Sequence, residues 1–238
     1  MINVFVALAG LALITAPARA VETAQPSKST PAQPGNPIAD DKVSQSATTM
    51  RVAGWIAASG DNGSRPYIII DKQAAALFMF DAKGKALGKA PVLIGVAVGD
   101  DATPGVGSKN LAEIGPAEKT TPAGRFLAKF GVAAGKQKVL WVDYANSVAL
   151  HGIPAGASKK EHRRQRMLSP TPEDHRITFG CINVPDAFYS KRVRPLFQKK
   201  GGYVYILPDT KPLEAVFPAL WVQPSTNAAP QPTPPANP

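Results

Sequence analysis

The chain has 238 residues, of which 44% are hydrophobic and 18% charged, and a net charge of +10. That length holds one domain with a real core plus tails, and a single cysteine excludes an internal disulfide. The basic excess favours polyanions such as nucleic acid, lipid headgroups or an acidic wall polymer. The dense runs "KKEHRRQR" (159–166) and "KRVRPLFQKK" (191–200) carry no nucleic-acid-binding motif, so no nucleic-acid partner is expected.

Residues 1–20, "MINVFVALAGLALITAPARA", form an apolar run closing on small residues at Ala18 and Ala20. This pattern predicts a signal peptide cleaved after Ala20, and hence an exported, periplasmic or cell-wall protein. No Lys or Arg precedes the run, which departs from a standard signal. The alternative, a buried N-terminal helix, fits poorly with the polar, Pro-rich stretch that follows at once. Residues 21–50 lack periodicity and read as a disordered linker. Residues 51–224 are expected to be the compact domain, and 225–238, "STNAAPQPTPPANP", a disordered tail biased to polyproline II. No second apolar segment is long enough to span a membrane, so the mature chain is expected to have no span.

The middle reads mostly as strands. "PYIII" (66–70) is a continuous apolar run suited to burial on both faces, and "ALFMF" (76–80) follows after a short polar break. "DAKGK" (81–85) carries turn residues, and "APVLIGVAV" (90–98) is the next strand. A Gly/Asp/Pro/Ser-rich loop covers 99–119. "KVLWVD" (138–143) and "SVALHG" (147–152) form a strand pair around "YAN", and "YVYIL" (203–207) is the last strand.

One helix is well signalled. Asn183 is expected to cap it, Pro185 suits its first turn and Asp186 its positive end. Tyr189, Val193, Leu196 and Phe197 then fall on one apolar face, and Gly201-Gly202 ends it. Cys181 would sit just ahead of that helix N-terminus, where partial positive charge favours thiolate. A nucleophilic cysteine needs a base in reach and donors for an oxyanion. The three histidines are His151, at a strand end; His162, inside the basic run; and His175, at the start of the strand leading to the thiol. Chemistry alone leaves the choice among them open. Gly180 allows a sharp turn and close approach to the main chain, in "TFGC" as in any turn glycine.

In this order, the pieces resemble the YkuD-type L,D-transpeptidase catalytic domain. "IIIDKQAAALFMFDAKGKAL" is similar to its opening strand pair and "APVLIGVA" to the next strand. "TTPAGRF" (120–126) matches its Thr-Pro-x-Gly-x-Phe element, "ALHGIP" its His-Gly element, and "TFGCINVP" its Ser/Thr-x-Gly-Cys-hydrophobic-Asn signature. The resemblance covers most of residues 65–207. It implies a mainly β domain, a sandwich- or barrel-like mixed sheet with one main helix after the catalytic cysteine.

The resemblance further implies that Cys181 is the acylated nucleophile, His151 its base, and the Gly152 carbonyl the group that orients the imidazole. Backbone N–H groups around Phe179, Gly180 and Cys181 would form the oxyanion hole. Asn183 would hold the motif loop, and Thr178 and Arg176 would complete the substrate-binding set. The substrate would be peptidoglycan stem peptides, with an outer-membrane lipoprotein as a further conceivable acceptor. No cofactor or metal is needed, and the histidines and cysteine show no zinc spacing.

Two features depart from the family pattern. Phe179 stands where the family carries a second His, which leaves a non-catalytic wall-binding homologue of the same fold as the alternative. The interval from His151 to Cys181 is also long, and its extra residues (153–176) read as a basic lid or as an inert insertion.

Overall fold

The computed structural model describes residues 43–222. The expected signal peptide, most of the expected linker and the Pro-rich tail lie outside the described residues. A helix α1 (Ala47–Ser59) is followed by β1 (Tyr67–Asp71), β2 (Ala76–Phe80), β3 (Ala86–Pro91) and β4 (Ile94–Gly95). Next come β5 (Gly124–Val132), β6 (Lys138–Asp143) and β7 (Val148–Gly152), then a long connection holding the short helix α2 (Arg163–Arg166). Strands β8 (Arg176–Thr178) and β9 (Ile182–Val184) flank the cysteine. Helix α3 (186–197) and β10 (Gly202–Ile206) follow, with a short helix at Leu213–Val216. The expected mainly β, mixed-sheet class is what forms.

Eight strands make one sheet in the order β3-β2-β1-β10-β5-β6-β7-β9, and β4 pairs with β8. The β1–β10 and β7–β9 pairs are parallel, and the other neighbours in the large sheet are antiparallel. The sheet curls until its edges meet. The chain leaving edge strand β3 runs to the opposite edge, where Leu93 and Asn183 exchange two backbone hydrogen bonds of 2.9 Å.

The continuous apolar run of β1 has a direct cause, because both of its faces are covered. Ile68 and Ile70 enter the cluster inside the curl, with Leu140, Leu150, Ile182, Val204 and α3 residues Val193 and Phe197. Tyr67 and Ile69 point the other way, against Val52, Trp55 and Ile56 of α1 and against Phe217. Burying each such side chain stabilises the fold by about 1.5–3 kcal/mol.

Helix α1 starts inside the stretch expected to be linker, which ran to residue 50. Its start is set by Ser46, whose hydroxyl accepts from Thr49 N–H at 3.0 Å and donates to Asp71 at 2.6 Å. A second long helix thus precedes the sheet, while α3 is the main helix after the cysteine. The expected strand at 90–98 breaks after Pro91, and β5, not anticipated, lies between β10 and β6.

The apolar face of α3 is as expected, with Val193 and Phe197 fully buried and Tyr189 and Leu196 packed against the same core. Gly201, at φ +65°, closes it through an N–H bond to the Phe197 carbonyl. Its start differs from expectation. Asn183 belongs to β9, and Pro185 takes the N-cap position.

Candidate active site

Strands β7 and β9 place the expected pair on one face. Their parallel register sets Leu150 beside Ile182 and His151 beside Asn183. Side chains alternate along a strand, so Leu150 and Ile182 enter the core while His151 and Asn183 share the opposite face. Cys181 leads into β9 one register step from that pair. Its sulfur lies 3.6 Å from the Ser147 carbonyl, and the Ala149 N–H points at it. The thiol is partly exposed and His151 is 8% exposed.

The imidazole is held in one tautomer. Its Nδ1 lies 2.6 Å from the Gly152 carbonyl, which only accepts, so Nδ1 carries the proton and Nε2 keeps its lone pair. This is the contact expected of Gly152. A side chain at Gly152 would meet the Asp186 carboxylate at 2.5 Å, so the position has no room for one.

Burial pushes the His151 pKa down; the Gly152 contact opposes this and the Arg163 charge adds to it. Burial pushes the Cys181 thiol up, against the Ala149 N–H and Arg163. Both shifts disfavour the charged forms. The resting pair is therefore thiol and neutral imidazole, contrary to the thiolate expected from a nearby helix end. Strand β9 intervenes between Cys181 and the start of α3 at residue 186, so the helix dipole has little hold on the sulfur.

The motif turn is tightly built. Gly180 has φ +121°, and a Cβ there would lie 2.7 Å from the Thr120 carbonyl oxygen, so only glycine fits. Thr178 Oγ1 donates to the Cys181 carbonyl at 2.6 Å and accepts from Gly180 N–H at 3.2 Å. That commits the Gly180 N–H inside the turn. Phe179 is covered by the Lys119 ammonium, 3.8 Å above its ring centroid. Asn183 is fully buried, and its Oδ1 accepts from Arg163 Nη1 at 2.8 Å. Arg176 is spent elsewhere, on Asp209 at 2.7 Å and the Ala97 carbonyl at 3.3 Å, rather than left free for a substrate.

Three contributors were not legible as such. Thr121 lies within "TTPAGRF" and is 1% exposed. Its hydroxyl accepts from Gly95 N–H at 2.9 Å and donates to the Gly180 carbonyl at 2.8 Å, tying the cysteine turn to β4. Lys72 donates to the Thr121 carbonyl at 3.0 Å from a fully buried position. Arg163 comes from the long connection. Thr121 and Lys72 left a signal, each as part of a quoted motif without an assigned role. Thr121→Val keeps the shape and removes the hydroxyl, leaving the Gly95 N–H and Gly180 carbonyl without that partner. The expected loss is about 1–3 kcal/mol, read as a lower urea midpoint at unchanged slope.

Among the described residues no cluster of three or more His, Cys, Asp or Glu side chains could hold a metal ion, and no helix is long and apolar enough to cross a membrane.

No protein-family model and no curated protein matches the sequence. Among solved structures the chain is similar to the catalytic domain of an E. faecium L,D-transpeptidase. Identity there is 16%, with 60% of this chain and 98% of that one covered and a TM-score of 0.35. A longer Enterococcus faecium L,D-transpeptidase structure matches at 15% identity, over 60% of this chain and 50% of that one, with a TM-score of 0.35. The helical cell shape determining protein Pgp2 from Campylobacter jejuni matches at 14% identity, over 67% and 56%, with a TM-score of 0.40. The chain thus spans about half the length of the two longer proteins.

Proposed function

We propose that this protein is a cysteine acyltransferase of the L,D-transpeptidase type, exported to the cell wall and acting on peptidoglycan stem peptides. The observation that carries the reading is the β7–β9 pairing. It supports the reading by bringing His151, whose Nδ1 meets the Gly152 carbonyl, beside Asn183, two residues past the thiol at Cys181. The ordered motifs from residue 65 to 207 support it, as does the glycine turn beside the sulfur.

In this reading Cys181 Sγ attacks the carbonyl between the L-centre of a diamino acid and a terminal D-Ala. His151 Nε2 takes the thiol proton as the S–C bond forms, so no separate thiolate need accumulate. In this reading the oxyanion takes N–H groups of the Phe179–Cys181 turn, of which that of Gly180 already meets Thr178 Oγ1. The imidazolium then protonates the leaving amine, D-Ala departs and a thioester remains. An incoming amine gives up its proton to His151 and forms a new amide, releasing the thiol. A neighbouring stem supplies that amine in cross-linking, a lipoprotein lysine in anchoring, and water takes its place in a carboxypeptidase.

The test is intact-mass spectrometry of the reduced protein with a carbapenem, which acylates enzymes of the family that the motifs resemble. One adduct is expected on the wild type and none on Cys181→Ala. An unmodified wild type would favour the wall-binding reading, for which Phe179 is the supporting feature. Muropeptides from sacculi digested with the protein identify the acceptor.

A further inference from the structure

The connection between β7 and β8 is not a free insertion. Met167 is 4% exposed within it. The two ring nitrogens of His175 face the carbonyls of Val92 and Ser169 at 2.8 and 3.0 Å. Ser169 donates to Asp174 at 2.6 Å, and Arg166 to the Asp174 carbonyl at 3.0 Å. His162, at φ +49°, turns the chain from a short 3-10 segment (Lys159–Glu161) into α2. These ties fix the first residue of α2, Arg163, whose side chain is 12% exposed.

The guanidinium is fully directed. Nε and Nη2 reach the two Glu161 oxygens at 2.8 and 3.4 Å, and Nη1 reaches Asn183 Oδ1 at 2.8 Å. Because guanidinium only donates, Asn183 must turn its oxygen to Arg163, and its Nδ2 is left buried without a partner. An unmet buried donor costs about 1–3 kcal/mol. A rotamer held at such a cost is fixed by its surroundings, here by Arg163. Asn183 is the register partner of His151 and lies two positions beyond Cys181.

We propose that Arg163 is a positioning residue for the Cys181–His151 pair, locking Asn183 in β9 and setting a permanent positive charge beside both groups. This rests on the reading of Cys181 as nucleophile. Three of the five N–H donors of Arg163 are directed to Glu161 and Asn183. Its charge favours S⁻ and opposes imidazolium, so it helps the thiol lose a proton and keeps the resting imidazole neutral. The charge acting on the sulfur is that of Arg163, which is paired with Glu161 in the β7–β8 connection; His151 lies on β7 and Lys119 covers Phe179, two residues before the cysteine.

The experiment measures alkylation of Cys181 by iodoacetamide against pH, which requires no wall substrate, alongside carbapenem acylation. In Arg163→Met, alkylation at pH 7 is expected to be about tenfold slower, with the half-point of the rate–pH curve moved to higher pH. Arg163→Lys restores the charge and brings the half-point back, but not the three-way fork, so its carbapenem acylation stays slow. Should Arg163→Met fail to fold by circular dichroism, Arg163→Gln, a donor without charge, must show the same moved half-point. A wild-type alkylation curve in the folded uncharged variant overturns the proposal. A wild type that alkylates normally yet takes no carbapenem overturns the acyltransferase reading and leaves the Arg163 result standing by itself.

Discussion

His151→Ala slows carbapenem acylation of Cys181 by roughly 10²- to 10⁴-fold, the range set by loss of a general base. Stopped-flow fluorescence or quenched mass spectrometry checks it. The argument is one of lone pairs. Nδ1 donates to the Gly152 carbonyl at 2.6 Å, so Nε2 is an acceptor available to the thiol. His175 has both nitrogens against carbonyls, and His162 is exposed in the lid turn, so neither replaces it. His162→Ala therefore acylates at the wild-type rate, and equal losses in the two variants would reopen the assignment. The pH profile carries a second sign. Burial lowers the His151 pKa from its ordinary 6.5, so the neutral base persists on the acid side of that value. More than half of the plateau acylation rate should remain at pH 6.5, and a half-point above 6.5 contradicts this.

Lys72→Met is the largest expected loss of stability, about 3–5 kcal/mol. The ammonium is fully buried and reaches Asp100 at 2.9 Å, Asp209 at 3.2 Å and the Gly99 and Thr121 carbonyls at 2.6 and 3.0 Å. Methionine fills the space but removes the cation shared by two buried carboxylates, leaving Asp209 to Arg176 and Asp100 to the N–H groups of Asp209, Thr210 and Lys211. At a urea slope of about 2 kcal/mol/M the midpoint falls by roughly 2 M, and a change under about 0.5 M would show that the network is not needed.

Burial alone would raise the Asp100 carboxyl. The N–H groups of Asp209, Lys211 and Thr210, with Lys72, outweigh it and hold the group well below the carboxylate range. Its contribution is therefore complete above the unfolded value, about 3.9, and is lost only as pH falls through the folded one. Since Lys72 also holds the Thr121 carbonyl, and Thr121 the Gly180 carbonyl, the same substitution should loosen the cysteine turn.

Local pattern carried much of this structure. "YIII" reads as a strand covered on both sides because its two faces meet separate clusters. "KVLWVD", "ALFMF" and the face of α3 likewise follow from periodicity that packing then uses. Helix α1 was hidden because its start is fixed by Asp71, far along the chain, rather than by a capping box. Strand β5 alternates Phe126, Ala128, Phe130 and Val132 but follows a glycine-rich stretch that reads as loop. In the site, Cys181, His151 and Gly152 were legible from motifs. Asn183 looked like a helix cap because Pro and Asp follow it, whereas edge closure with Leu93 draws it into a strand. Arg163 and Lys72 had no assigned role, and Arg176 was read toward substrate rather than Asp209, for one reason: each is defined by partners distant in sequence, and a charge is read as surface until its partner is known.

A protonated resting sulfur bears on the hazard that an unpaired thiol meets in the exported setting proposed above. Peroxides attack thiolate, so a side chain that burial keeps as S–H is oxidised slowly to sulfenic acid while idle. Nucleophilicity then arises at the moment of docking, when an aligned carbonyl lets sulfur hand its proton to the neighbouring ring. Slow oxidation while idle and readiness to react both follow from a proton that the sulfur gives up only on docking.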